Sequence, residues 1–458
     1  MSAPATSDAD AASSALTARL TRNAIFALLD VLLTKACTML ILVAFVRLIP
    51  ESRNDEAVAA ITIAYGWVVL LAFLEVTPIR VVLRDWPRFT GSARKRNRLL
   101  TGMAGWWLAQ SLLILAGAGA VCLLTPQTLP HLHLAVVGLT LNFLAESLQF
   151  WVKTVLYASF RQPLETGLSL IASLTRLGLV IGGLLYAPGV VTYALCLVAA
   201  AGFTTALYTG TLFRVVGFRP VVDRLTLPRL RRSVGGYGIW DHLNISVIDA
   251  LFMIDPLILQ QLLIAGRADA AQVSAYGIAL RFVSMLIIIP QQLTRTLQVA
   301  LANAADRVYA ERSFNSIFKL SKLVAIAELT VVALLARPLL ELLFGGVSAD
   351  TVRYTRLLAC AMCIMCVAWP CLAVVNHSGN LRGAFFGLFL PILPLGLLTY
   401  AAAGWWAGPL GVAEANIAVY AILAVTLFGF ARRTGGLRLR PALLAPHERD
   451  SLRALLRR

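Results

Sequence analysis

Charged residues are scarce in this sequence: they make up 14% of its 458 residues, whereas 59% of the residues are hydrophobic. A soluble globular domain has about 25% charged and about 45–50% apolar residues. An aqueous core could not bury this much apolar surface, so the lipid bilayer acts as the solvent for most of the chain. Only helices and closed barrels satisfy their backbone polar groups there. The apolar runs are roughly 20 residues long, which fits helices, whereas a barrel has alternating segments of about ten residues.

The sequence also lacks the motifs of several enzyme classes. It has no Gly-rich phosphate loop ending in Lys-Ser or Lys-Thr, no His-Glu-x-x-His and no Gly-x-Ser-x-Gly. The connections predicted to lie outside the membrane are too short to form a catalytic domain. These absences remove the usual signatures of ATP hydrolysis and covalent catalysis, so we predict a protein that is not an enzyme and that has no cofactor.

Seven cysteines are present, and all lie inside apolar runs. Cys360, Cys363 and Cys366 recur at every third residue, a spacing that metal ligands also use. No histidine or carboxylate nearby completes a ligand set. We therefore interpret them as small packing residues of a buried helix and predict no metal site.

Twelve apolar runs are long enough to span a membrane. They cover residues 24–48, 57–83, 100–124, 134–156, 164–187, 190–213, 236–264, 273–301, 319–343, 354–375, 383–403 and 411–431. The connections after even-numbered runs are rich in arginine and lysine, whereas the odd-numbered connections are uncharged, acidic or balanced in charge. Because cytoplasmic loops carry the excess of basic residues, this alternation predicts a multi-pass inner-membrane protein with both termini in the cytoplasm. Topology thereby explains the net charge of +17, and nucleic acid is not predicted as a partner.

The longest basic connection, residues 214–233, lies at the midpoint of the chain. It separates a predicted N-lobe of six spans (21–213) from a predicted C-lobe of six spans (234–431). Residues 1–20 lack the basic start and apolar core of a signal peptide and form a predicted disordered cytoplasmic tail, and residues 432–458 form a basic one. The arrangement indicates a parallel repeat with substrate bound between the lobes. The predicted fold is an all-α polytopic membrane protein with about 12 transmembrane helices.

Ionisable residues inside the predicted spans are the candidate functional residues, because charges at membrane depth are costly. Guanidinium groups pair well with phosphate oxygens. The basic residues predicted to bind an anionic substrate are Arg281, Arg176, Lys35, Arg295 and Arg80. The acidic residues predicted to serve ion coupling or ion pairs are Asp30, Glu75, Asp249 and Asp255.

Two alternatives remain for each of these residues. It lines a cavity, or it belongs to an ion pair that fastens helices, such as Asp249 with Arg281 or Glu75 with Arg80. Central depth favours the cavity for Arg176 and Arg281. For Arg80, snorkelling to the cytoplasmic headgroups is a further alternative.

Pro290 lies in the middle of the predicted eighth span, and Gln291, Gln292 and Thr294 follow it. Proline removes a backbone donor, so we predict a polar kink that serves as a helix hinge.

Five short segments, in their order and spacing, resemble a known family. They are residues 72–84 (AFLEVTPIRVVLR), 254–259 (IDPLIL), 273–284 (VSAYGIALRFVS), 337–345 (RPLLELLFG) and 408–415 (GPLGVAEA). The family is the multidrug/oligosaccharidyl-lipid/polysaccharide (MOP) exporter superfamily, in particular its polysaccharide-transporter branch of Wzx-type flippases. Asp255, Tyr276 and Arg281 match its Asp, Tyr and basic positions. The sequence departs from the pattern at Pro256, where a polar residue is usual, and at Glu75, where many members have Asp.

The resemblance implies a V-shaped pair of six-helix lobes with a central cleft. It also implies translocation of a polyprenyl-diphosphate-linked oligosaccharide, a repeat unit of O-antigen or exopolysaccharide, from the cytoplasmic to the periplasmic leaflet. Membrane lipids and other polysaccharide assembly proteins are further expected partners. A MATE-like drug or cation antiporter is an alternative, with carboxylates from Asp30, Asp249 and Asp255. A membrane glycan polymerase or ligase is a second alternative, and it would need a large periplasmic loop.

Overall fold

The computed structural model describes residues 29–76, 82, 86, 89, 91–159, 161–221, 238–302 and 307–435. Every regular element in these residues is helical. The predicted tail over 1–20 and the predicted ligand Arg80 lie outside the described residues, as do most of the connection 214–233 and most of the tail 432–458.

The described residues form thirteen helices, numbered here in chain order. They are α1 (Leu29–Leu48), α2 (Glu51–Ala72), α3 (Ala93–Leu124), α4 (Leu132–Ala158), α5 (Gln162–Tyr186), α6 (Val190–Arg214), α7 (Ile239–Met253), α8 (Asp255–Ile264), α9 (Ala270–Val283), α10 (Ile288–Ala302), α11 (Arg307–Phe344), α12 (Ala349–His377) and α13 (Leu381–Thr434).

Nine of the described helices are long and apolar enough to cross a membrane, and the count reaches eleven when each of two bent helix pairs is one span. The 54 residues of α13 correspond to roughly 80 Å of helical rise, more than twice a bilayer core of about 30 Å. Its backbone breaks at Gly408, where φ is 63° and ψ is −150°. Helix α13 therefore holds the last two predicted spans, and the prediction of an all-α polytopic membrane protein is confirmed.

The predicted seventh span is not one helix. Helices α7 and α8 meet at Ile254 with a bend of 43°. Pro256 has no backbone N–H to continue the ladder of α7, which explains the break. The predicted span 236–264 is therefore a broken helix, and the break brings Asp255 to the first position of α8.

The predicted eighth span is also bent, by 40° between α9 and α10. The break covers residues 284–287, and Pro290 lies in the first turn of α10, where a missing N–H costs no helical hydrogen bond. The kink is thus present, and its service as a hinge stays a prediction.

The second span ends earlier than predicted. Helix α2 stops at Ala72, and residues 73–76 are not helical. The prediction that Glu75 lies within a helix is wrong, because the side chain belongs to the segment that leaves α2.

The chain divides into two compact units. Unit 1 comprises Met1–Pro50, Leu74–Gln127 and His133–Ile239, and unit 2 comprises Glu51–Phe73, Thr128–Leu132 and Trp240–Arg458. Helix α2 therefore groups with the C-terminal half, although its chain neighbours on both sides belong to unit 1. The two lobes of six consecutive spans stay a prediction from the sequence.

Close packing of small residues explains the place of α2 in unit 2. A methyl group on Gly277 of α9 would overlap the Thr62 hydroxyl, and one on Gly66 would lie 3.0 Å from Cβ of Pro256. The indole of Trp67 also donates a 2.8 Å hydrogen bond to the Gln260 side chain. These contacts fix α2 against α8 and α9.

We expect Gly277→Ala to lower the midpoint of thermal unfolding of the purified protein. Alanine in a helix is normally about 0.5–1 kcal/mol more favourable than glycine, but here its methyl group overlaps Thr62. Gly105→Ala in α3 is the matched control, because no atom lies within 4 Å of the added methyl group, and its midpoint should stay unchanged or rise. Equal shifts in both variants would contradict the packing of α2 on α9.

Candidate functional site

An ion cluster joins three helices of unit 1. The Lys153 ammonium of α4 lies 3.6 Å from a carboxylate oxygen of Asp30 and 3.1 Å from one of Glu165. It also donates a 2.8 Å hydrogen bond to the Ser169 hydroxyl, and Thr34 contacts Asp30 one turn further along α1 at 3.4 Å. The structure thus places Asp30 in an ion-paired cluster.

Arg176 has a carboxylate partner as well. Its guanidinium lies 2.6 Å from a carboxylate oxygen of Glu146, which also accepts a 3.1 Å hydrogen bond from Asn142. Lys35 is exposed on α1, and Glu146 attracts its ammonium. Of its two alternatives, Arg176 takes the ion pair, and substrate binding by it stays a prediction.

Glu75 anchors the segment that follows α2. Its carboxylate is buried and accepts a hydrogen bond from the Ser147 hydroxyl of α4. Backbone carbonyls beside it are bound from α3: Trp106 donates to Val76 at 3.0 Å, and Gln110 donates to Leu74 at 3.2 Å. The side chain therefore serves packing within unit 1 through these contacts.

A buried polar network surrounds Asp255 in unit 2. One carboxylate oxygen of Asp255 accepts hydrogen bonds from the Tyr276 hydroxyl at 2.5 Å and the Asn416 amide at 2.7 Å. The Tyr400 hydroxyl is 2.9 Å from the amide oxygen of Asn416 and 3.2 Å from the carbonyl of Leu251, just before the helix break. Tyrosine and amide donors thus replace a cation as partners of this carboxylate. The second carboxylate oxygen is buried and has no hydrogen-bond partner among the described residues.

Asp249 and Arg281 do not pair. Asp249 is exposed on α7, and no ion pair joins the two residues in the described part of the chain. The alternative that these two charges fasten helices is therefore wrong, and both remain available to other partners.

Arg281 lies in the last turn of α9 and is half-buried. Its guanidinium carbon is 4.6 Å from the ring centroid of Tyr65, so it stacks on the face of a residue of α2. Its Nη2 atom is buried and has no hydrogen-bond partner within the described residues. A cation held by a ring face, with donors left over, can bind an anion.

Arg295, the remaining predicted binding residue that the structure describes, is not part of the clusters above. Arg295 is exposed on α10. The described residues contain no group of three or more His, Cys, Asp or Glu side chains that could hold a metal ion. Cys363 and Cys366 are buried on α12, and Cys360 is half-buried there.

Sequence reasoning missed several members of these sites, Glu165, Asn416 and Tyr400 among them. Glu165 lies in the first turn of α5, where the helix dipole favours an acid, and an acid inside the predicted span 164–187 was a usable signal. Asn416 and Tyr400 carried no such signal, because polar side chains in a long apolar helix are read as packing until a partner is known.

The arrangement of the helices matches solved structures. The MATE multidrug transporter DinF-BH matches with a TM-score of 0.67 and 15% identity, over 92% of this chain and 97% of that chain. The fold is that of MATE transporters of the MOP superfamily. An inward-facing multidrug resistance MATE family transporter of this superfamily matches with a TM-score of 0.64 and 14% identity, over 88% of this chain and 94% of that chain.

A third match carries information about polarity. It is a MOP superfamily transporter from Pyrococcus furiosus, with a TM-score of 0.63 and 13% identity over 91% of this chain and 95% of that chain. It is described as having a binding pocket of reverse polarity that suggests a different function. No protein-family model matches the chain, and a search of curated proteins found no match. At such low identities the likeness concerns the fold alone, and the Wzx-type branch stays a prediction.

Proposed function

We propose that this protein is a membrane transporter that moves a polyprenyl-diphosphate-linked oligosaccharide from the cytoplasmic to the periplasmic leaflet. The diphosphate binds basic residues of a central cleft, and the polyprenyl tail stays in the lipid. Rocking of one lobe against the other carries the headgroup across by alternating access.

The surroundings of the Arg281 guanidinium are the observation that supports the proposal. The guanidinium is half-buried, stacks on Tyr65 and has a buried donor without an acceptor in the described residues. An oxyanion would supply that acceptor, and hydrogen bonds between ionised groups are stronger than neutral ones. A cationic drug would instead meet a positive charge at this position.

The fold supports a transporter of this kind without choosing its substrate. Two of these matched transporters are described as members of the MOP superfamily, and for one of them pocket polarity has been connected with a different function. Pocket charge is therefore the feature on which we base the choice of an anionic substrate.

A MATE-like drug or cation antiporter is the second candidate. Two of the matched structures are multidrug transporters. Asp249, exposed on α7 and free of any ion pair among the described residues, is the carboxylate that favours it. A cation could bind there without breaking an existing interaction.

Deletion of the gene in its host separates the two candidates. We expect surface glycan to disappear and lipid-linked oligosaccharide to accumulate in the inner membrane, with recovery on expression of the wild-type chain. Resistance to cationic drugs should stay unchanged when the chain is overexpressed. Normal glycan in the deletion strain, together with broad drug resistance on overexpression, would replace the flippase by the antiporter.

A further inference from the structure

Helix α12 is the most enclosed long helix of unit 2. Between Thr351 and Asn376 only two residues are exposed, and both are arginines: Arg353 and Arg356. Leu357, Cys360, Ile364 and Val367 are half-buried, and they continue the same face of the helix at spacings of three and four residues. The open face of α12 is therefore a stripe with two cations at one end and apolar side chains below them.

Neither of the two arginines has a carboxylate at salt-bridge distance in the part of the chain that the structure describes. Neither takes part in an ion pair or hydrogen bond within the described residues, and Asp350, one turn before Arg353, does not reach it. Arg353 and Arg356 are three residues apart, so their Cβ atoms are about 5–6 Å apart on one face. Both guanidinium groups can thus contact one small anion.

Their position in the predicted topology makes them unusual. They lie at the end of α12 that is predicted to face the periplasm, where basic residues are not topology signals. Two other arginines at this end of unit 2 each have a partner. Arg267 stacks on Trp405 and donates to its carbonyl, and Arg337 lies 2.8 Å from Glu341. Arg353 and Arg356 alone among these four lack one in the described residues.

We propose that Arg353 and Arg356 form a diphosphate-binding subsite for a lipid-linked substrate at the outer end of α12. Two adjacent guanidinium groups match two adjacent phosphates, and each can bind an oxyanion through two parallel N–H donors. The apolar stripe below them fits the first part of the lipid chain. The inference rests on the proposed function, and it places the headgroup at the release end of the pathway, away from Arg281.

The test measures binding of a polyprenyl diphosphate to the purified full chain in nanodiscs of zwitterionic lipid. Inorganic pyrophosphate serves as competitor, and the polyprenyl alcohol serves as the uncharged ligand. We expect the double variant R353Q/R356Q to weaken binding of the diphosphate at least about tenfold, with no change for the alcohol. Arg337→Gln removes one positive charge at the same predicted end and should bind like the wild type.

The outcomes separate the subsite from the function. Wild-type affinity in R353Q/R356Q would overturn the subsite and leave the transporter proposal intact. An equal loss in Arg337→Gln would show that only general positive charge matters, which also overturns the subsite. A wild-type chain that does not bind the polyprenyl diphosphate would overturn the proposed function itself.

Discussion

Replacing Arg281 by glutamine is expected to lower export of surface glycan about 10- to 100-fold, while the amount of protein in the membrane stays the same. The side chain supplies a charge-assisted interaction to the proposed diphosphate, and glutamine keeps two donors but no charge. Loss of one charged hydrogen bond costs roughly 1.5–3 kcal/mol. The measurement is the surface glycan of a deletion strain that carries each variant at matched expression.

Two further variants define the role of Arg281. Tyr65→Phe keeps a ring face for the guanidinium and should export normally, whereas Tyr65→Leu removes it and should reduce export less than Arg281→Gln does. Arg307→Gln is the matched control, because Arg307 is exposed and pairs with Glu311 within its own helix. Wild-type export in Arg281→Gln would sink the binding model.

Replacing Asn416 by leucine is expected to destabilise unit 2 by about 3–5 kcal/mol, since each buried polar group left without a partner costs about 1–3 kcal/mol. The variant removes the amide that donates to Asp255 and accepts from Tyr400. Leucine has a similar size, so the loss of hydrogen bonds is the main change. The measurement is the midpoint of thermal unfolding of the purified protein in detergent.

The control for Asn416→Leu lies on the same helix. Thr399 is half-buried, and its hydroxyl donates to the carbonyl of Leu395, one turn before it, so Thr399→Val should change stability by less than about 0.5 kcal/mol. Asp255→Asn should be tolerated better than Asn416→Leu, because it removes a buried charge and keeps an acceptor for Tyr276. If Asn416→Leu unfolds at the wild-type temperature, the network does not hold α8 and α13 together.

Hydropathy predicted the fold because the membrane requires it. Long apolar runs such as 190–213 form helices with nearly the same bounds, Val190–Arg214, since no other structure satisfies the backbone in lipid. The uncharged segment 403–410 correctly marked the boundary between the last two predicted spans, although the structure has no loop there. The helix continues except at Gly408. A glycine in the left-handed region breaks the backbone without the loop that a change of span usually suggests.

The helix break at Ile254 was within reach of the sequence. Pro256 was visible as a departure from the family pattern, and its missing N–H predicts an interrupted ladder. The polar network that the break creates around Asp255 was not predictable, because the partners of Asp255 come from α9 and α13, up to about 160 residues further along the chain. Hydropathy records which residues enter the membrane, but it does not record which polar side chains meet there.

The charged residues inside the helices fall into two groups, those with an ion-pair partner and those without one among the described residues. Central depth in the predicted spans favoured cavity lining for both Arg176 and Arg281. The structure instead pairs Arg176 with Glu146 at 2.6 Å and stacks Arg281 on the ring of Tyr65. Arg353 lies just before a predicted span, where an arginine is not unusual. Its exposure depends on how the rest of α12 is covered by other helices. The ion-pair partner and the exposure of a charged side chain depend on tertiary packing, so the sequence alone does not give them.

The membership of α2 in unit 2 has a consequence for the biogenesis of the protein. Thr62 and Gly66 are synthesised about 200 residues before Pro256 and Gly277, the residues that they touch. At a translation rate of about 5–20 residues per second, α2 waits roughly 10 to 40 s for these partners. During that interval lipid or the insertion machinery must cover its small-residue face, so unit 2 is completed around a helix that entered the membrane long before the rest of it.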